Sequence, residues 1–418
     1  MFAVLSRTWT LYAAMALLMA GLGFQNTILP IIGNGAGTSA TTMGYVMSMY
    51  YLGYFIGVYL VPKLIRRVGF TRVFATLATL IGSIIMLYGV TASPITWLII
   101  RVLTGFCFSG LSLVTETWIN DAVDNKNRGK ALSMYLVVSF IGLTMGQYVV
   151  IFSPTGGLLT FMIMSLVLSL SFVPVLLSVN AEPKIQKSEP MPVKVLYKAS
   201  PMGAVGILFV GVGNALSFAI GGVYIVSVGG ETGDVSTFLV AGSVGTIIGL
   251  YPAGKISDMI DRRFVIVGLC IISLIGVSLV YMQDNIGWLM FTGFALVNVG
   301  LGPLYSVCIA QTNDWIEDDE RMSAAARLGF LYGVGSLGGS IVVSTLLSIV
   351  GSEVFIYSQV CVFGGLLIFA VSRIYVREAQ VEEEQANFIP YPVRPTNIAM
   401  DVYDDEVFEE TNKDSNSE

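Results

Sequence analysis

At 418 residues, with 55% hydrophobic and 12% charged side chains, the chain is too apolar for a soluble protein, in which about a quarter of residues are charged. It has a net charge of −6 and contains no histidine, so it lacks the commonest transition-metal ligand and the side chain that titrates most readily near neutral pH. The composition points to an all-α integral membrane protein surrounded by lipid, with no nucleic-acid partner, metal or cofactor implied, and any proton coupling must fall on carboxylates.

A bilayer is crossed by about 20 apolar residues, and twelve such runs are predicted. In the first half they are Trp9 to Ile32, Met43 to Pro62, Val73 to Thr91, Ile95 to Ile119, Ala131 to Phe152 and Leu158 to Val179. The second half gives Met202 to Val228, Val235 to Ile256, Phe264 to Met282, Gly287 to Thr312, Ser323 to Val350 and Glu353 to Arg373. The first run lacks a small-residue cleavage site and is longer than a signal h-region, so it reads as a retained helix. Of the 22 bases, twenty lie on loops and termini that alternate spans place on one side, which by the positive-inside rule makes both termini cytoplasmic. The other two, Arg101 and Arg327, fall inside spans. Cys107, Cys270, Cys308 and Cys361 all lie in apolar runs and read as small core residues.

Four regions follow. Residues 1–179 form a first six-helix bundle, and 180–201, with Lys184, Lys187, Lys194 and Lys198, form a cytoplasmic linker. Residues 202–373 form a second six-helix bundle. From 374 to 418 runs an acidic tail, expected to be disordered, with twelve acids against Arg377, Arg394 and Lys413. The two bundles are copies of one pattern. Asn120, Asp121 and Arg128 reappear as Asn313, Asp314 and Arg321, and Gly142 and Gly146 as Gly335 and Gly339, every pair 193 residues apart. Gly53 and Gly57 answer to Gly245 and Gly249 at an offset of 192. With an even number of spans per copy the repeats are parallel. Glycines four apart suit helices that approach closely, whether they slide or only pack.

The stretch GLYPAGKISDMIDRR, from Gly249 to Arg263, ends an apolar run in a turn of alternating charge. Such signs suit ion pairs made and broken between helix ends; a loop whose bases hold a helix end on one side, with solvated acids, is the plainer alternative. In Gly249, Gly254, Ser257, Asp258, Asp261, Arg262 and Arg263 it resembles the loop signature of the major facilitator superfamily, with Met259 where the family has a base. The first-half loop, GVYLVPKLIRRVGFTR, has Arg66 and Arg67 there, with Arg66 at the position of Asp258, so the two copies differ in charge. The segment with Arg101, Gly105 and Gly110 resembles the superfamily's fourth-helix motif, whose arginine is associated with coupling or substrate binding; an arginine hydrogen-bonded to carbonyls is the structural alternative. Long segments around residues 101–135 and 302–339 are similar to the YcaD-like, "unknown major facilitator" branch, with Gln311 in place of that group's histidine. Gln147 stands where the drug-antiporter signature has proline, which argues against a standard drug/proton antiporter.

The resemblance implies two parallel six-helix repeats around a central cavity, and a monomer that moves a small solute across the bacterial cytoplasmic membrane by alternating access. Polar side chains deep in spans are candidate lining: Gln25, Asn26, Gln147, Asn214, Asn298 and Gln359, with Arg327 near one end of the eleventh span. Helix-to-helix hydrogen bonding explains such groups equally well. Arg101 with these amides suits a small polar or anionic solute. Glu116 lies fifteen residues beyond Arg101, about 22 Å along a helix, so it is no direct partner for it. Glu116 is expected in a latch with Arg66, Arg67 or Arg128; any proton coupling is expected to fall on Glu116 or on Asp314, and Asp121, Arg128, Asp314 and Arg321 are expected at the gate. A transporter-like sensor signalling through the tail is the second reading. An enzyme is disfavoured, because no nucleophile elbow, zinc-protease motif or phosphate loop is present.

Overall fold

The computed structural model describes residues 2–91, 93–123, 125–152, 158–176, 191–283, 285–317 and 320–376. The linker expected at 180–201 is thus described only from Met191, and the tail expected at 374–418 only to Val376. Every regular element among the described residues is helical.

Twelve helices carry the fold. They are α1 (Thr8–Gly35), α2 (Ala40–Val68), α3 (Phe70–Val90), α4 (Pro94–Ala122), α5 (Gly129–Phe152), α6 (Leu158–Leu170), α7 (Pro201–Ser227), α8 (Thr232–Ser257), α9 (Arg262–Tyr281), α10 (Trp288–Asn313), α11 (Ser323–Val350) and α12 (Val354–Val376). Eleven are long and apolar enough to cross a membrane; α6 is not. The apolar run expected to span from Leu158 to Val179 breaks at Ser171, whose N–H and hydroxyl both turn back to Leu168 O, at 3.2 and 2.6 Å. Hydropathy reads that run as continuous because Ser171 is flanked by leucine and phenylalanine.

Local chemistry sets the boundaries. Ser39 caps α2 by accepting the Thr42 N–H at 3.2 Å, and Ser200 caps α7 through Gly203 N–H at 3.3 Å. Pro94 and Pro201 sit in the first turn of α4 and α7, where their missing N–H costs nothing. Glu231 and Asp234 form a reciprocal box at the start of α8. Gly69, at φ 90°, stops α2 by returning its N–H to Ile65 O and releases the chain into α3.

The repeat seen in the sequence is repeated in the packing. α1 lies on α5 as α7 lies on α11; α2 on α4 as α8 on α10; α3 on α6 as α9 on α12. The halves meet through α2 against α11 and α5 against α8, a pairing that maps onto itself when the copies are exchanged. Repeated glycines sit where helices come closest. A Cβ on Gly53 would lie 1.8 Å from Val102 O, and one on Gly245 2.1 Å from Ala295 O. Cys107, Cys270 and Cys308 are buried as expected of core residues, whereas Cys361 is exposed on the outer surface of α12.

Because the neighbour at Gly245 is backbone, Gly245→Ala must separate α8 from α10, and overpacking of this kind costs about 1–3 kcal/mol. Gly268, with nothing within 4 Å of its would-be Cβ, is the control. Thermal unfolding in detergent should show a clearly lowered Tm for Gly245→Ala and none for Gly268→Ala.

Candidate functional site

The two ends of the bundle differ. One holds the turns at Gly69 and at Asp258–Asp261; the other holds the short turns around Gly37, Gly229 and Gly351. Toward the short-turn end the halves are joined by hydroxyls. Ser236 of α8 donates to Gln147 O of α5, and Ser243 donates to Gln147 Oε1 at 2.9 Å. On the other seam, Tyr45 and Thr345 hydroxyls lie 2.9 Å apart, and those of Ser48 and Ser344 3.4 Å apart. Gln147 is therefore a bridge between halves, at a contact the sequence left undetermined.

On the charged-turn side of these contacts lies a cavity between the halves. From the first half, α1 contributes Met15 and Met19, α2 Tyr51, α4 Ser112 and Glu116, and α5 Tyr135, Leu136, Ser139, Phe140 and Leu143. The second half contributes Asn214, Phe218 and Tyr332. Glu116 is 1% exposed and accepts the Tyr135 hydroxyl at 2.9 Å. Of the bases expected to latch with it, Arg66 and Arg67 are exposed, Arg66 turning to Pro62 O at 3.3 Å, and the Arg128 side chain lies outside the described residues. Ser112 and Glu116, like Tyr135 and Ser139, are one helical turn apart, so both pairs share a face; that spacing was the available signal for Ser112, Tyr135 and Ser139, which the sequence reading missed.

On α7 the helix widens into a π-turn at Leu216–Ile220, between Asn214 and the following α-helical turn, and Phe218 within it lines the cavity. Such bulges are frequent at functional sites. Asn214 donates to Val210 O at 3.1 Å, and its own carbonyl accepts Tyr51 from the other half at 3.5 Å.

Of the candidate lining residues, then, Glu116 and Asn214 reach this cavity. Arg101, 1% exposed, donates to Asn26 Oδ1 at 3.0 Å, and its guanidinium lies 5.2 Å from the Tyr50 ring centroid, within the first half. Gln25 donates back to Gly21 O and Asn298 to Phe294 O, at 3.2 and 2.9 Å, and Gln359 is buried in α12. Arg327 donates to Met191 O at 2.5 Å and lies over Phe330, tying the end of α11 to the linker.

The charged turn of the second half is a brace within that half. Arg262 Nε meets Asp314 Oδ2 at 2.7 Å, with side chains 1% and 4% exposed, and Arg262 Nη1 donates to Ser257 at 3.1 Å. The ends of α8, α9 and α10 are thereby held together. Asp261 caps α9 through the Arg263 N–H at 2.9 Å, and Arg263 reaches Arg373 O of α12 at 3.1 Å. Gly249 and Gly254 are buried along α8, Asp258 is exposed at its end, and Arg321 is buried at the start of α11. In the first half Asp121, the counterpart of Asp314, is exposed. Burial raises the Asp261 pKa, but the Arg263 side chain and backbone N–H together outweigh it and hold the carboxyl below its usual 3.8.

The family model described as Major Facilitator Superfamily matches residues 11–231 and 203–400. The uncharacterized MFS-type transporter YcaD of Salmonella arizonae is 23% identical over 372 residues, covering 88% of this chain and 93% of its own length, and that of Salmonella typhimurium matches to the same extent. Among solved structures, a mutant of the nucleoside transporter NupG superposes with a TM-score of 0.67 at 12% identity, covering 89% of this chain and 100% of its own. A bacterial homolog of the human lysosomal transporter Spinster, in an inward-facing and occupied conformation, also gives 0.67, at 14% identity, with 88% and 95% coverage.

Two predictions follow from the brace. Asp314→Ala takes the Asp314 carboxylate from the buried Arg262 and should cost up to about 3–5 kcal/mol, whereas the double change Arg262→Met with Asp314→Leu should recover most of it, measured by unfolding in detergent. A lowered folded pKa means that Asp261 stabilises fully above 3.8 and loses that contribution as pH falls through the folded value. Between pH 5 and 2, Asp261→Asn should therefore show a flatter decline of Tm than wild type.

Proposed function

Because the chain belongs to the major facilitator superfamily, we propose that this membrane transporter moves a small solute by secondary active or facilitative alternating access, with the Glu116 cavity as its solute site. The observation that carries this reading is the placement of the cavity. It lies between two copies of one bundle, off-centre toward the charged turns, while hydroxyl contacts join the copies toward the other end.

With the bases cytoplasmic, both termini lie inside the bacterial cell and the seam at Gln147, Ser48 and Ser344 is an outer gate. The cavity is then the inward-facing half of the cycle. Breaking the few hydroxyl contacts of that seam costs little, since each hydrogen bond is worth about 1 kcal/mol net. A gate that must open repeatedly needs contacts of this strength. Proton coupling, in this reading, uses Glu116, the acid at the solute site, and the chain acts as a monomer.

The test is accessibility. Ser344→Cys, buried at the outer seam, should react with a membrane-impermeant maleimide from the outer face only when the seam opens. Gln147→Ala removes the Ser243 hydrogen bond and should raise that labelling rate about fivefold, the equivalent of about 1 kcal/mol. Ser139→Cys, in the cavity, should label from the inner face and be protected as Ser344→Cys becomes reactive. Labelling of both sites at rates that Gln147→Ala leaves untouched would rule out a two-state gate at this seam.

A further inference from the structure

We infer that the cavity binds an organic cation with an aromatic or other apolar body, Glu116 being its counter-charge; the inference rests on the cavity's being the solute site. Glu116 is the one acid among the described lining residues, and no lysine or arginine is among them. The two intramembrane bases that would favour an anion, Arg101 and Arg327, are engaged with Asn26 and Tyr50, and with Met191 O and Phe330. A small anion would therefore face a carboxylate with no base in the described wall.

In the wall, Tyr135 donates to Glu116, Ser139 to Tyr135 O at 2.7 Å, Tyr51 to Asn214 O, and Asn214 to Val210 O, while the buried Ser112 hydroxyl has no partner among the described residues and can donate or accept. Tyr51, Tyr135, Phe140, Phe218 and Tyr332 line the cavity, and aromatic rings attract a cation placed over their faces. Met15 and Met19 add an adaptable apolar surface for the rest of the molecule.

Benzyltrimethylammonium and benzylsulfonate, aromatic ions of similar size and opposite charge, test this by calorimetric titration of the purified full-length protein. The cation should bind at least about tenfold more tightly than the anion, Glu116→Gln should lose about tenfold of that affinity, and Glu116→Asp should recover part of it. Equal or tighter binding of benzylsulfonate, binding of neither ion, or unchanged cation affinity in Glu116→Gln would overturn the inference. If Glu116→Gln fails to fold, the comparison of the two ions on the wild type decides. Ser139→Trp, which fills the cavity, separates the two levels of failure. Anion binding lost in Ser139→Trp means that the cavity is the site and the charge class is wrong. Ion binding that survives Ser139→Trp means that the cavity is not the site, and both readings fall.

Discussion

In hydrocarbon no backbone N–H or C=O can be surrendered to water, and each unpaired group costs several kcal/mol. That constraint makes every regular element described here a helix, and it shapes what the helices do with their side chains. Serines and threonines along the spans turn their hydroxyls onto the carbonyl four residues back, as Ser48 does to Gly44 O and Thr115 to Leu111 O. With lipid as apolar as the side chains, helices gain little from hiding hydrophobic surface and associate by close fit instead. Glycines at Gly53, Gly146, Gly245 and Gly249 therefore face backbone oxygens of their neighbours, which a Cβ would strike at 2.2 Å or less.

The same constraint governs charge. An ionised group at the bilayer centre costs about 3 kcal/mol on insertion scales, so each one retained needs a partner and a reason. Arg101 has Asn26 and the Tyr50 ring, both within the first half. Arg262 and Asp314 have each other at the membrane edge. Glu116 has Tyr135, and it also lines the cavity between the halves, which neither Arg101 nor the Arg262–Asp314 pair does.

Much of this was legible in the sequence and the rest was not, for physical reasons. The offset of 193 residues between Gly142 and Gly335 foretold that α5 and α11 would pack alike, because close-approach glycines record contact geometry directly. That Arg101 would need compensation followed from its charge, and that Glu116 lay too far away followed from helix rise. That Asn26, 75 residues distant, would supply it did not, since one sequence carries no record of which buried amide meets which cation. Hydropathy is blind to the break at Ser171 and to the π-turn at Leu216–Ile220, both of which are changes of hydrogen-bond register inside apolar runs. Preference for an anionic solute came from counting Arg101 with the amides; the cavity wall holds Glu116 and Asn214 without Arg101, and the inference reverses.

The halves share a fold but divide its tasks. Most of the cavity's described wall, including Glu116, Tyr135, Ser112 and Ser139, belongs to the first half. The second half contributes a widened turn of α7 at Phe218, with Asn214 beside it, and Tyr332. At the charged end the order is reversed: the second half is tied by Arg262 to Asp314 and by Arg263 to Asp261 and α12, while Arg66, Arg67 and Asp121 of the first stand exposed. Replacement of an acid by Arg66 at the position of Asp258 is the sequence change that accompanies this difference. In the proposed alternating-access cycle, motion between the halves would fall on the seams of α2 with α11 and α5 with α8, where the two halves meet. Toward the short-turn end those seams carry single hydroxyl contacts, each worth about 1 kcal/mol net, and further along α2 and α11 meet through the Phe55 and Phe330 rings, with centroids 5.5 Å apart.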